Sequence, residues 1–338
     1  MDLNTVWFAL VVVLLAGYAL LDGFDLGVGT LHLLARGDEE RRTLMNAIGP
    51  VWDGNEVWLL TGGGALFAAF PNVYATVFSG FYTALMLVLL ALILRAMSLE
   101  FRGKLPGAGW RAGWDAAFSI SSALAALLLG VALGNILRGV PIGPDGEFAG
   151  SFLGLLNPWS LLMGLTTVAL FALHGALYLG LKVEGTLLER VRAWAKTAYA
   201  AFGVLYALTL GSGLFVVPRF SEALRARPLL LAAPVGAILA VLFVRRSLAA
   251  GREGRAFVSS CAAIALTAAF FGGSLYPALV PSNPLPENGL TIYNACSSPK
   301  TLKIMLVIAL TGMPLVIAYQ TLVYRVFKGP VRLGPTSY

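Results

Sequence analysis

Charge is what this sequence lacks most. Asp, Glu, Lys and Arg make up 12% of 338 residues while hydrophobic residues make up 58%, whereas a soluble domain carries roughly 25% charged residues. A soluble or disordered chain is excluded, and a polytopic membrane protein remains. There are only two cysteines, Cys261 and Cys296, too few for a disulfide framework. They fall near opposite ends of one predicted span, so no bridge between them is expected. There are also only two histidines, His32 and His174. A transmembrane haem needs a His with a His or Met partner, the seven Met are scattered, and a lone buried His is more often hydrogen-bonded packing. No Walker A, dinucleotide, HExxH or CxxC pattern occurs. No metal ligand set is expected, and such a chain makes a poor enzyme alone. The net charge of +7 calls for no nucleic acid, because the basic residues sit in short segments between apolar runs.

What is abundant is long apolar sequence. Windows of about 20 apolar residues mark membrane spans, and nine are predicted: 5–34, 44–70, 72–100, 113–138, 158–183, 197–217, 229–249, 256–280 and 301–327. The expected fold is all-α, a single integral membrane domain over 1–338, arranged as two four-helix bundles plus one extra helix. The start of the chain lacks a basic n-region, so the first run is expected to stay as a helix. Pro71 is expected to end the second span in a tight turn.

Lys and Arg placement sets the orientation. With the N-terminus outside and the C-terminus cytoplasmic, the inner segments hold 18 of the 24 basic residues, Arg95, Arg102 and Lys104 among them. Two outer loops, 139–157 and 281–298, are rich in Gly, Pro, Asn and Ser and are expected to be ordered.

The stretch 49–71, GPVWDGNEVWLLTGGGALFAAFP, organises the rest. Asp53 and Glu56 are three apart, so on a helix they share a face, beside Trp52 and Asn55. Trp58 and an apolar run broken by Gly62, Gly63 and Gly64 follow. Carboxylates at the head of such a run are expensive and in membranes mark a task; the bland alternative is a polar first turn in the head-group zone. The glycines let a neighbouring helix or ligand approach the backbone. In the first span, LLDGFDLGVGTLH sets Asp22 and Asp25 at i, i+3, with Gly23 and Gly27 spaced for helix contact. Counted from the inner ends, Asp22 and Asp25 stand roughly 18 and 14 Å up, and Asp53 and Glu56 reach about the same height. Asp115 begins the fourth span on the same side, and His32 lies near the inner end of the first. The acids thus gather in the cytoplasmic half. They suit either a proton path from the cytoplasm or a set of packing pairs.

GYALLDGFDLGVG, IGPVWDGNEVWLLTGGGALFAAFP and YATVFSGFYTALMLVL, continued by WRAGWDAAFS, VALGNILRGVP, LLNPWSLL, LHGALYL and LTIYNACSSPKTL, closely resemble subunit II of the cytochrome bd-type quinol oxidases. The likeness spans nearly the whole chain. It implies a respiratory terminal oxidase of the prokaryotic inner membrane that oxidises quinol and reduces O2 to water, electrogenic but not a proton pump. By the resemblance, haem b558, haem b595 and haem d, or a b haem in its place, belong to the haem-bearing subunit I. Subunit II ligates none of them and resembles subunit I structurally. It lines proton and O2 routes and holds a structural quinone or lipid in some members, and a small single-span accessory subunit is a further expected partner. Asp53 matches the family acid of the cytoplasmic proton path, and Trp58 the aromatic tied to O2 access. Asp25 and Asp115 match further membrane acids, with Glu56 and Asp22 as the other proton-path candidates. Two other classes compete: a proton-coupled secondary transporter, which inner-leaflet acids and glycine-rich helices also fit, and an inert scaffold.

Overall fold

The Asp2 carboxylate accepts a hydrogen bond from the Thr5 amide and caps the first helix, α1 (Leu3–Leu31), which a short 3-10 turn, His32–Leu34, prolongs. In the computed structural model, which describes residues 2–334, there follow α2 (Gly37–Ile48), α3 (Trp52–Ala69), α4 (Pro71–Gly80), α5 (Tyr82–Phe101), α6 (Ala108–Arg138), the single turn α7 (Phe152–Leu155) and α8 (Pro158–Leu179). The chain continues as α9 (Gly185–Val216), α10 (Pro218–Ala226), α11 (Ala232–Ala249), α12 (Glu253–Leu275), the strands β1 (Ala278–Val280) and β2 (Leu290–Thr291), and α13 (Pro299–Val326).

Eight helical segments are long and apolar enough to cross a membrane among the described residues. The predicted second span is missing from that set and is not one helix. Its first part lies in α2, which starts on three acids suited to a helix N-terminus and buries Leu44, Met45, Ala47 and Ile48. Pro50 offers no amide to continue the ladder, and α3 restarts at Trp52. The predicted third span is also divided. The helix breaks at Phe81, just after the helix-weakening pair Ser79-Gly80, where the Phe148 ring fills the space a Gly80 side chain would take.

Around α1 the helices form two groups: α3, α5 and α6 on one side, α8, α9, α11 and α12 on the other. The groups meet along α6 and α8 and where α1 crosses α8. A Cβ on Gly27 would lie 1.8 Å from the Phe171 carbonyl oxygen, and one on Gly175 2.5 Å from the Gly27 carbonyl carbon. Only two glycines let the backbones approach that closely. The last helix, α13, packs chiefly on α1 and α3 and buries only Leu302 fully.

The two loops expected to be ordered pack on each other. Val140 donates to Pro281 O (3.0 Å), Asn283 donates to Val140 O (3.0 Å), and Asn288 Nδ2 to Ile142 O (2.8 Å). This cap shares an apolar core with Trp7, Phe70 and Phe81 and binds the start of α1, where Asn4 Nδ2 donates to Ile292 O. The segment just after α13 sits at the opposite pole, where Lys182 Nζ donates to Phe327 O and Val331 N to Lys182 O. Both cysteines are free.

Candidate functional site

The i, i+3 spacing in LLDGFD turns Asp22 and Asp25 to the buried side of α1, and neither is exposed at all. The partner of Asp22 comes from α5. Arg95 donates through Nη1 to Asp22 Oδ1 at 2.6 Å and through Nη2 to Glu56 Oε2 at 2.9 Å. Its guanidinium fork thus joins an acid of α1 to an acid of α3. Arg95, counted among the positive charges of the inner segments, is not a loop or surface charge: its side chain is 0% exposed. A buried charge persists only when paired, and here two carboxylates pair with it.

Asn55 makes the second link. Its Nδ2 donates to Asp25 Oδ2 at 2.8 Å, and its Oδ1 accepts from Tyr324 OH of α13, also at 2.8 Å. The acids of α1 and α3 therefore do meet at one level. Three carboxyl groups, Asp22, Asp25 and Glu56, surround one guanidinium. Tyr18 OH, Asp22 Oδ2, Asp25 Oδ1 and Arg95 Nε are buried without a hydrogen-bond partner among the described residues.

Asp53 is not part of this cluster. The expected common face with Glu56 is split by the edge of the buried side of α3: Glu56 is half-buried and turned to Arg95, while Asp53 is exposed. It forms no hydrogen bond or ion pair among the described residues. Trp58 lies between two clefts, one bordered by α13 and the other by the apolar Val12, Ala16 and Ala268. Its indole donates to Gln320 Oε1 at 3.0 Å, and its ring lies against Gly17, where a Cβ would come 2.3 Å from it. Of the predicted packing glycines, Gly23 meets the Phe171 ring, Gly27 the α8 backbone and Gly62 the Leu15 side chain. Gly63 and Gly64 meet nothing within 4 Å, so within this chain they are no packing seam.

Asp115 anchors a separate cluster at the pole opposite the cap. It accepts from Arg41 (2.8 Å) and from Arg102 Nε (2.6 Å) and lies 2.6 Å from His32 Nε2, while Arg102 also reaches Asp38 at 2.9 Å. His32, expected near the membrane surface, is fully buried. His174 has no unengaged ring nitrogen, whereas His32 keeps one, Nδ1, buried without a partner among the described residues. The His174 nitrogens meet Ser260 Oγ at 2.7 Å and Leu20 O at 3.0 Å. His32 has one nitrogen on Asp115 and its ring against Phe118 at 5.1 Å between centroids.

Residues missed by the sequence reading are Arg95 as a buried hub, Tyr324 and Gln320. A lone arginine inside an apolar run was the available signal for the first; nothing along the chain ties α13 to α3.

Residues 3–327 match the family described as cytochrome bd terminal oxidase subunit II. The chain is 37% identical to cytochrome bd-I ubiquinol oxidase subunit 2 of Escherichia coli, over 95% of this chain and 93% of that protein. It is 38% identical to cytochrome bd ubiquinol oxidase subunit 2 of Bacillus subtilis, over 97% and 96%. The fold is similar to a chain of the bd oxidase from Geobacillus thermodenitrificans, with a TM-score of 0.81 at 20% identity over 97% of this chain and 99% of that one. With sequence, length and fold in agreement, this chain belongs to the cytochrome bd terminal oxidase subunit II family.

Proposed function

We propose that this chain is the haem-free subunit of a quinol:O2 oxidoreductase in a prokaryotic cytoplasmic membrane. It works beside a haem-bearing subunit I and carries protons toward that partner's redox centre. Family membership supports the oxidase, and the relatives in Escherichia coli and Bacillus subtilis are named as ubiquinol oxidase subunits. The haems belong to the partner, where they supply the redox chemistry; this chain supplies proton positions and a surface. The complex is electrogenic without pumping.

The chain forms one membrane domain with nine crossings. The ninth is α3, 18 residues long and made too polar for the apolar set by Asp53, Asn55 and Glu56. An odd number fits termini held at opposite poles. The N-terminus faces outward, because the basic residues of the inner segments, Arg95 excepted, stay at the pole of Lys182.

The observation that carries the proton role is the group of three acids around Arg95 at the junction of α1, α3 and α5. Asp115 stands at the basic pole as the first acid. Asp22 and Asp25 form the buried middle, and Glu56, 21% exposed, connects them to the surface. Asp53 stands on that surface, where subunit I covers α3. Ionisable groups inside a membrane are costly and mark ion or proton pathways among other tasks. Trp58, between its two clefts, supports a second role in O2 access.

The test is Asp53→Asn and Glu56→Gln in the assembled oxidase. Turnover and membrane-potential generation are expected to fall about tenfold or more with assembly and haem spectrum unchanged. Unchanged turnover and potential in both variants reject the proton role. A visible spectrum separates the oxidase from a transporter, since haem copurifies only with an oxidase partner.

A further inference from the structure

We infer that a file of internal water molecules follows the buried face of α1 and joins the Asp115 cluster to the acids around Arg95, with His32 and Ser122 holding its middle. This file rests on the proton role proposed above and closes a gap which that role leaves open. From His32 to Asp25 is a rise of roughly 10 Å, and no acid of α1 stands between them. Buried polar atoms are nearly always hydrogen-bonded, to protein or to an ordered water. Here Tyr18 OH, Asp22 Oδ2, Asp25 Oδ1, His32 Nδ1 and Ser122 Oγ are buried without a partner among the described residues. The first four belong to α1 and its 3-10 extension, and Ser122, from α6, completes their row. A Cβ on Gly29 would lie 2.0 Å from Ser122 Oγ, so that hydroxyl stands where a side chain at 29 would point. Steps of four, three, four and three residues place 18, 22, 25, 29 and 32 on one helix face. The row rises roughly 21 Å in all.

The chemistry along the row selects water. His32 Nε2 lies 2.6 Å from Asp115 Oδ1, which also accepts from Arg102 Nε. The ring donates there, and Nδ1 is left for a partner on its other side. Each end of the row also carries an arginine Nε that is buried without a partner among the described residues, Arg41 beside Asp115 and Arg95 beside Asp22. A bound cation would be repelled at both ends, and a bound anion would be repelled by Asp22 and Asp25 in between. Water is neutral and both donates and accepts, so it answers every atom of the row. Roughly three waters at hydrogen-bond spacing cover the gap between His32 and Asp25. Each water gives up one proton as it receives another, and the last gives its proton to Asp25 Oδ1. His32 and Ser122 are positioning residues: they hold the waters, and the proton passes through the waters rather than through them.

Cryo-electron microscopy of the assembled oxidase, at a resolution that shows water, is expected to place ordered density within about 3 Å of both His32 Nδ1 and Ser122 Oγ. A dry seam at those two atoms overturns the inference. Its working is read in Ser122→Ala, which takes one oxygen from a packed site, and in His32→Leu beside His32→Gln. The Gln amide can donate to Asp115 and still accept from a water. Turnover and proton uptake of Ser122→Ala and His32→Leu are expected to fall about threefold to tenfold, the weight of one hydrogen bond. The ratio of rates in H2O and D2O is expected to rise in both, which a packing defect would not cause, and His32→Gln is expected to restore most of the rate. Thermal midpoint and haem spectrum check assembly, and Ser122→Ala alone decides if His32→Leu does not assemble. Wild-type rate and isotope ratio in Ser122→Ala overturn the file. Where Asp53→Asn and Glu56→Gln are impaired in the same assay, the file falls and the proton role stands. The water itself is seen in the resting complex, whichever way those two variants behave.

Discussion

At the scale of single residues, Arg95 is the group on which the buried acids depend. Arg95→Gln leaves Asp22 in the interior without its cation, and breaking one side of a buried ion pair costs about 3–5 kcal/mol. The expected outcome is loss of assembled oxidase, read from yield and thermal midpoint. Arg95→Lys is expected to recover little, because an ammonium cannot reproduce the planar fork that holds two carboxylates. Asp53→Asn, on the surface, is expected to change stability by no more than about 0.5 kcal/mol, so a loss of turnover there reports on protons rather than folding. Lys182, outside the spans and buried against Phe327 O, supplies a pH dependence. Burial holds its amine below the ordinary 10.5, so the unfolded chain binds that proton more tightly. The stability linked to Lys182 therefore rises with pH toward 10.5. Relative to Lys182→Met, the wild-type thermal midpoint is expected to climb as the pH rises toward 10.5.

At the scale of elements, the α1–α8 crossing and the glycine run of α3 look alike along the chain and behave oppositely in the fold. Gly27→Ala drives a methyl into the Phe171 carbonyl and forces the helices apart. The expected cost is about 1–3 kcal/mol or more, seen as a lowered thermal midpoint. Gly63→Ala meets open space and gains roughly 1 kcal/mol of helix propensity. If Gly63→Ala nevertheless reduces copurification of subunit I, the partner docks on that stretch of α3. The two divided spans carry a related lesson. Hydropathy merges α2 with α3 and α4 with α5, because a 20-residue average does not register Pro50, or Gly80 with Phe148 beside it.

At the scale of the whole molecule, the loop cap binds the start of α1 at one pole and the Lys182–Phe327 pin lies at the other, and labelling checks the N-out, C-in arrangement proposed from the basic residues. With Cys261 and Cys296 replaced by serine, Ser151→Cys is expected to react with an impermeant maleimide on intact spheroplasts. Gly107→Cys is expected to react only after the membrane is opened. The opposite pattern inverts the orientation and puts the acid cluster nearer the outer surface.

The sequence by itself determined that this is a multi-span membrane chain, which family its motifs resemble, and that acids of the first and second predicted spans stand at one level. Those properties are local, since hydropathy, spacing and rise per residue are all read along the chain. Only the tertiary structure decided that Arg95 belongs to the interior, that Glu56 turns inward while Asp53 turns out, and that Tyr324 reaches Asn55. Each of these rests on contacts between distant residues: Arg95 meets Asp22 across 73 positions and Glu56 across 39. A summed hydropathy gives a charge the same weight whether water or a buried partner compensates it, and the partner is known only once the helices are packed.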